Sequence, residues 1–293
     1  MGTIPMVFAA VVVACALASA SALRPEVLAV RSSPTLARTL HLAQARRPYA
    51  PLIMSESAEA VPPTPMAASL GPIAWAQVGK YKFAVLAELS LIAACFRAID
   101  ALLTLPAFAI VPLFLFLSLR SRVFSPLVAS RPVRSEQLGA ATPIEVKRPS
   151  WTPPGIAFPF IWSTISILRA ISSLLVWRGT GRKLFSLPLL VLVLHLAIGD
   201  TWNNITNVER RLGTSALGVF SVLASVYVAV GVYYRAVPLA GLLLAPSAVW
   251  ISIASVLTWS IWSINTPRQP LFPRQGDGKA SGLRLPLSQV FEK

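Results

Sequence analysis

Hydrophobic residues in this chain run in long stretches rather than alternating with polar ones. From Leu212 to Tyr234 and from Val237 to Ile264 no charged residue occurs at all. A helix needs about 20 apolar residues to cross the hydrocarbon layer of a bilayer, so each stretch predicts one membrane-spanning helix. Ile156–Trp177 and Phe185–Asn207 predict two more, interrupted only by Arg169 in one and by His195 and Asp200 in the other. The apolar region Tyr81–Leu119 is too long for a single span and carries Glu88, Arg97 and Asp100. It divides into an accessory helix over 82–100, lying against the bundle or the interface, and a first span over Ala101–Leu119. The pattern therefore predicts an all-α membrane protein, a five-transmembrane-helix bundle over residues 101–265, preceded by an N-terminal targeting presequence.

Composition agrees. A mean hydropathy of +0.67 with only 13% charged residues excludes an ordinary soluble domain. The net charge of +15 would suit nucleic acid, but Lys and Arg stand at the ends of apolar segments and in the tails, which favours membrane topology and contact with membrane lipid, and no nucleic-acid partner is expected. The loop 120–150, Arg210 with Arg211, and the tail outweigh Arg178, Arg182, Lys183 and Arg235 in basic residues, even with Lys80 and Lys82 added to the latter, so the first set should face the cytosol or its equivalent. Residues 1–22 are signal-like, ending in Ala20-Ser21-Ala22. Residues 23–54 are rich in Arg with Ser and nearly free of acids, as transit peptides are. Together they read as a bipartite presequence for a plastid membrane, with a mitochondrial or endomembrane destination as the alternative. Residues 55–81 read as a Pro-containing disordered spacer and 266–293 as a flexible tail. Two cysteines, Cys15 and Cys95, supply neither a disulfide framework nor a metal site.

The most distinctive stretch is Lys147 to Trp162, K-R-P-S-W-T-P-P-G-I-A-F-P-F-I-W. Pro149, Pro153 and Pro154 fix φ and remove donors, so a rigid turn hands over to a helix near Gly155, with Trp151 at the membrane surface and Trp162 inside the bundle. The string resembles the signature of the TspO/translocator protein family, the tryptophan-rich sensory proteins. The resemblance extends over Lys147–Asn265. It includes His195-Leu-Ala-Ile-Gly-Asp-Thr-Trp202 on the third span and Leu244, Pro246, Trp250, Ala254, Leu257, Trp262 and Asn265 on the fifth. Departures accompany it: Ile156 stands where the family has a Trp after the Pro-Pro pair, Ile165-Ser166 where it has Leu-Tyr, His195 replaces a family Gln and Gly199 a family Asn.

The resemblance implies a five-helix bundle, commonly a homodimer, with a pocket in each protomer that takes a tetrapyrrole such as protoporphyrin or haem. It implies Pro154, Phe158, Trp162, Trp202, Trp250, Ala254 and Leu257 as ligand-binding positions. Flat indoles suit stacking on a macrocycle, although periodicity alone reads the same residues as packing. The Tyr and basic residue of the animal cholesterol motif are missing, which argues against sterol. Arg169, His195 and Asp200 stand at membrane depth, where ionisable residues are costly and usually face the interior. Arg169 could reach His195 or Asp200, or bind a propionate; His195 reads as a hydrogen-bonded replacement for Gln or as an axial ligand. On the fourth span Ser221, Ser225 and Ala229 form a small-residue stripe suited to close helix packing, within the protomer or between two. No catalytic residue, metal site or required cofactor is expected. The function predicted is tetrapyrrole binding, with a role in transport, sensing or stress response; the alternatives are a light-dependent porphyrin-degrading enzyme and a scaffold that has lost the pocket.

Overall fold

The computed structural model describes residues 71–127, 146–277 and 279–286. Within them the chain forms six helices: α1 Trp75–Leu102, α2 Ala107–Arg120 continued by a 3₁₀ turn over Ser121–Phe124, α3 Ala157–Gly179, α4 Leu187–Asn207, α5 Leu212–Ala236 and α6 Pro238–Ile264. Five segments are long and apolar enough to cross a membrane: Ala107–Phe124 and α3 to α6. The protein is an all-α integral membrane protein, and the last four spans start and end within two residues of the hydropathy boundaries. The signal-like segment 1–22, the transit-like segment 23–54 and the spacer as far as residue 70 lie outside the described residues.

The first span differs from its sequence boundary. Ala101 and Leu102 belong to α1, and the chain breaks at Leu103–Pro106 before α2 begins. Pro106 sits just before α2 with φ −74°, where its fixed φ suits a helix start and its missing N–H is no loss. The helix preceding this break is longer than the sequence suggested: it starts at Trp75, inside the stretch read as spacer. Only Pro112 lies within α2.

Around the bundle the neighbours run α2, α3, α6, α5, α4, and α1 lies along α4. The main core joins Ile92 and Phe96 of α1 to Ile110, Phe114 and Leu117 of α2, and to Leu189, Leu192, Val193 and Leu196 of α4. Phe96 and Phe114 meet with ring centroids 5.9 Å apart. Between α5 and α6 only Val237 intervenes, and the helices approach so closely there that a Cβ on Gly241 would collide with Tyr234. After α3 the chain reverses through Gly181 (φ +72°) and Arg182 (φ +58°), and the Arg182 N–H returns to the Trp177 carbonyl at 2.9 Å, which closes the helix end.

One carboxylate ties the opposite end together. Glu209, in the turn between α4 and α5, accepts hydrogen bonds from Gln77 Nε2 at 2.8 Å and from the Tyr81 hydroxyl, both on α1. It also accepts from Arg211 Nε at 2.8 Å and from the Ser281 N–H at 3.0 Å. Arg211 in turn forms an ion pair with Asp277. The residues after α6, read from the sequence as a flexible tail, run back across this end. The Ala74 N–H donates to the Pro273 carbonyl, the Gln275 N–H to Pro72 and the Arg284 N–H to Pro126. Trp262 Nε1 donates to the Gln269 carbonyl, and Gln269 Oε1 accepts from the Leu212 N–H. Gly213 lies directly beneath the Gln269 and Pro270 carbonyls. Hydropathy cannot register this docking because the contacts are polar and distant in sequence.

Two outcomes are expected. Partial burial pushes the Asp277 carboxyl up, but the Arg211 guanidinium outweighs it and holds the group below the usual carboxylate range. A depressed carboxyl stabilises the docked tail above the unfolded value, near pH 4, and loses that contribution as pH falls through the lowered folded value. A spin label at Gln275→Cys should therefore be immobile at neutral pH, loosen in acid, and already be loose at neutral pH in Asp277→Asn. Gly213→Ala should free the same label at every pH and lower thermal stability by about 1–3 kcal/mol, as overpacking does.

Candidate functional site

The turn into α3 is built as its prolines require. Thr152 N–H and Oγ1 both donate to the Pro149 carbonyl, at 3.0 and 2.7 Å, and the Ala157 N–H closes on Pro154 at 2.9 Å. Asn265, at the end of the neighbouring α6, fastens this turn: its Oδ1 accepts from the Lys147 N–H and its Nδ2 donates to the Lys147 carbonyl, both at 2.9 Å. Trp151 is left exposed on the turn and Trp162 lies half-buried two turns into α3.

From there a single face of α3 presents Phe158, Trp162, Ile165 and Arg169, spaced by four, three and four residues. The facing side of α4 presents His195, Ile198 and Trp202. These two faces meet Trp250 and Ile251 of α6 and Val222 and Val226 of α5 in one apolar cluster, which contains Phe158, Trp162, Trp202 and Trp250 together. Phe158 stands edge-on to Trp250, with centroids 5.8 Å apart at 76°. Trp202 is anchored by its Nε1, which donates to the Ser215 carbonyl at 3.0 Å. Trp250 is not anchored: its Nε1 is buried without a hydrogen-bond partner. An unmet buried donor costs about 1–3 kcal/mol. On its other side Trp250 lines an open apolar hollow with Leu242, Ala245, Pro246, Val249 and Ile253. Pro246, inside α6, has no N–H to return to the Leu242 carbonyl.

Beneath the indoles lies a polar stack. Arg169 and His195 are buried, at 3% and 2% exposure. Arg169 Nη2 lies 2.9 Å from His195 Nε2, and His195 Nδ1 lies 2.9 Å from Ser225 Oγ. Ser225 gives its hydroxyl proton to the Val222 carbonyl at 2.8 Å, so its oxygen can only accept from the ring. That assigns the proton to Nδ1 and leaves Nε2 as the acceptor for the guanidinium. The imidazole is thus neutral and its one lone pair is in use, which fits a hydrogen-bonded replacement for Gln and not an axial ligand. No carboxylate lies within ion-pair distance of Arg169 among the described residues. Of its two sequence-level partners it has taken His195; Asp200 instead accepts from the Ser121 hydroxyl.

The other expected positions divide. Pro154 is exposed, Ala254 is half-buried and Leu257 is buried, and all three fall outside the indole cluster. Of the small-residue stripe of α5, Ser225 holds His195 and Ala229 is fully buried, while Ser221 is exposed. Asn203 accepts from Asn207 at 2.9 Å and from Arg122 at 3.3 Å, while Asn204 accepts from the Ser281 hydroxyl at 2.9 Å. Ser225, Ser121 and Arg122 escaped sequence reasoning as site residues, because only proximity in the bundle reveals their partners. The described residues hold no group of three or more metal-ligating side chains.

A family model described as TspO/MBR family matches residues 131–263. Protein CrtK of Rhodobacter capsulatus is 30% identical over 127 residues, covering 43% of this chain and 79% of that protein. The translocator protein of Homo sapiens is 27% identical over 143 residues, 48% of this chain and 78% of its own. The tryptophan-rich protein TspO of Bacillus cereus is 25% identical over 120 residues, 41% and 78% of the two chains.

The stack makes a prediction. Among the described residues His195 is the only acceptor bonded to the buried Arg169 guanidinium, so His195→Leu should cost about 3–5 kcal/mol, as breaking a buried charged pair does. His195→Gln restores an oxygen acceptor and should retain most of the stability. Thermal unfolding of the purified variants in one detergent checks both; equal midpoints would detach His195 from Arg169.

Proposed function

This chain belongs to the TspO/MBR family, and on that premise we propose that it binds tetrapyrroles between α3, α4 and α6. The observation that carries the reading is the convergence of Trp162, Trp202, Trp250 and Phe158, drawn from three helices, on one apolar cluster in which the Trp250 N–H has no acceptor. Flat aromatic walls with a spare donor match a flat, apolar macrocycle with polar atoms at its edge and centre. Trp250 stands between this cluster and the open hollow beside Pro246, so movement of one indole would join interior and exterior. The ligand is protoporphyrin or haem, and the biological role is tetrapyrrole transport, sensing or stress response. The basic, acid-poor presequence supports a plastid membrane as the location. A homodimer is the assembly that the family resemblance implies.

A second reading has its own support. Arg169, His195 and Ser225 fill the space beneath the indoles with a hydrogen-bonded polar stack, as they would in a scaffold that keeps the fold and has given up the ligand.

Titration of the detergent-purified full chain with protoporphyrin IX in the dark separates the readings. Saturable quenching of tryptophan fluorescence is expected, with affinity about tenfold weaker in Trp250→Phe, a loss of about 1.4 kcal/mol. Equal affinity in variant and parent would remove Trp250 from the site, and the absence of saturable quenching would favour the scaffold. Bleaching of the porphyrin band on illumination, lost in Trp162→Phe or Trp250→Phe, would instead identify a porphyrin-degrading enzyme.

A further inference from the structure

Helix α1 lies outside the five apolar spans, yet it is built into the bundle along its whole length. At one end Gln77 and Tyr81 donate to Glu209, just beyond the last turn of α4. At the other end Asp100 accepts the Leu184 and Phe185 N–H groups, just ahead of the first turn of α4, at 2.9 and 2.7 Å. Between them Ile92 and Phe96 pack into the core with residues of α2 and α4. From Gln77 to Asp100 the helix rises about 35 Å at 1.5 Å per residue, antiparallel to α4, a distance that matches the hydrocarbon thickness of about 30 Å. A helix that accompanies a membrane-crossing neighbour from end to end must cross with it. Its charges fit: Lys80 and Lys82 fall at one end, Arg97 and Asp100 at the other, and Glu88 is the one charged residue between. The two lysines thereby join the more basic side of the bundle.

Glu88 is completely buried, and neither of its oxygens has a hydrogen-bond donor. Its carboxyl faces that of Asp200 on α4 within hydrogen-bonding reach. Asp200 accepts from Ser121 on its other side. The groups that face the pair are Ser125 and Arg122 toward Glu88, and Ser121, Arg122 and, from α3, Arg169 toward Asp200. Two ionised carboxylates balanced by the two arginines would satisfy charge, but between Glu88 and Asp200 both groups would then be acceptors, with no donor in the contact inside the membrane. One proton between the two carboxyls supplies the missing donor.

We propose that α1 crosses the membrane as a sixth helix and that Glu88 and Asp200, meeting at depth, form a site that binds a single proton and clasps α1 to α4.

Two measurements on the full chain test this. In a Cys15→Ser, Cys95→Ser background reconstituted with one orientation, an impermeant maleimide should label Ala76→Cys and Thr104→Cys from opposite faces of the membrane; labelling from the same face overturns the crossing. Infrared spectroscopy of the protein in nanodiscs at neutral pH should show the C=O stretch of a buried protonated carboxyl, shifted in D₂O and absent in both Glu88→Gln and Asp200→Asn. Glu88→Gln, which keeps a donor toward Asp200, should retain the thermal stability that Glu88→Ala loses, so absence of the band in a folded protein is readable. A parent spectrum without that band, or a band unchanged in both variants, overturns the shared proton.

Discussion

Hydrocarbon offers no hydrogen bonds, so a polar group that this protein carries into its bundle can be met only by another part of the same bundle. That constraint organises the interior. Arg169 is met by His195, which is met by Ser225, which returns its proton to a helix carbonyl. Glu209 gathers donors from α1, from Arg211 and from the tail. Each network spans helices that hydrophobic packing alone would hold in no particular register, because apolar contacts between helices in lipid are nearly as good after a slip. The polar contacts supply the register, and the aromatic cluster is held in place by it.

Seen this way, the two ends and the middle of the bundle have different physical jobs. The Glu209 and Arg211 end is a polar lock that fastens the C-terminal residues across the base through Asp277, Gln269 and Ser281. The indoles occupy the half of the bundle between that end and the polar stack, bracketed by the Lys147–Asn265 clamp on one side and by Arg169 on the other. Trp202 is fixed to the backbone while Trp250 is not. Of the two, Trp250 is the one without a hydrogen-bond anchor, and it also borders the hollow at Pro246.

Two of the departures from the family pattern, at His195 and Gly199, have different consequences. His195 puts a ring with one donor and one acceptor where an amide would stand, and both functions are used, one toward Ser225 and one toward Arg169. Gly199 leaves open space where a larger side chain would reach, with nothing within 4 Å of the position its Cβ would take. A buried guanidinium and a missing amide therefore arrive together on neighbouring turns of facing helices.

Sequence alone determined the class of fold, four of the five spans to within two residues, and the aromatic residues that face inward on α3, α4 and α6. These are written in features that survive without a structure: uninterrupted apolar length, three- and four-residue spacing, and a Pro-Trp turn with a recognisable order. It could not determine where α1 ends and α2 begins, since both are apolar and only Pro106 marks the break. Nor could it determine that the tail docks, that Arg169 takes His195 rather than Asp200, or that Ser225 turns inward. Those outcomes depend on which polar atoms come within about 3 Å once the helices are packed, and residues as far apart in the chain as Gln77 and Glu209 have no local signal that they will meet.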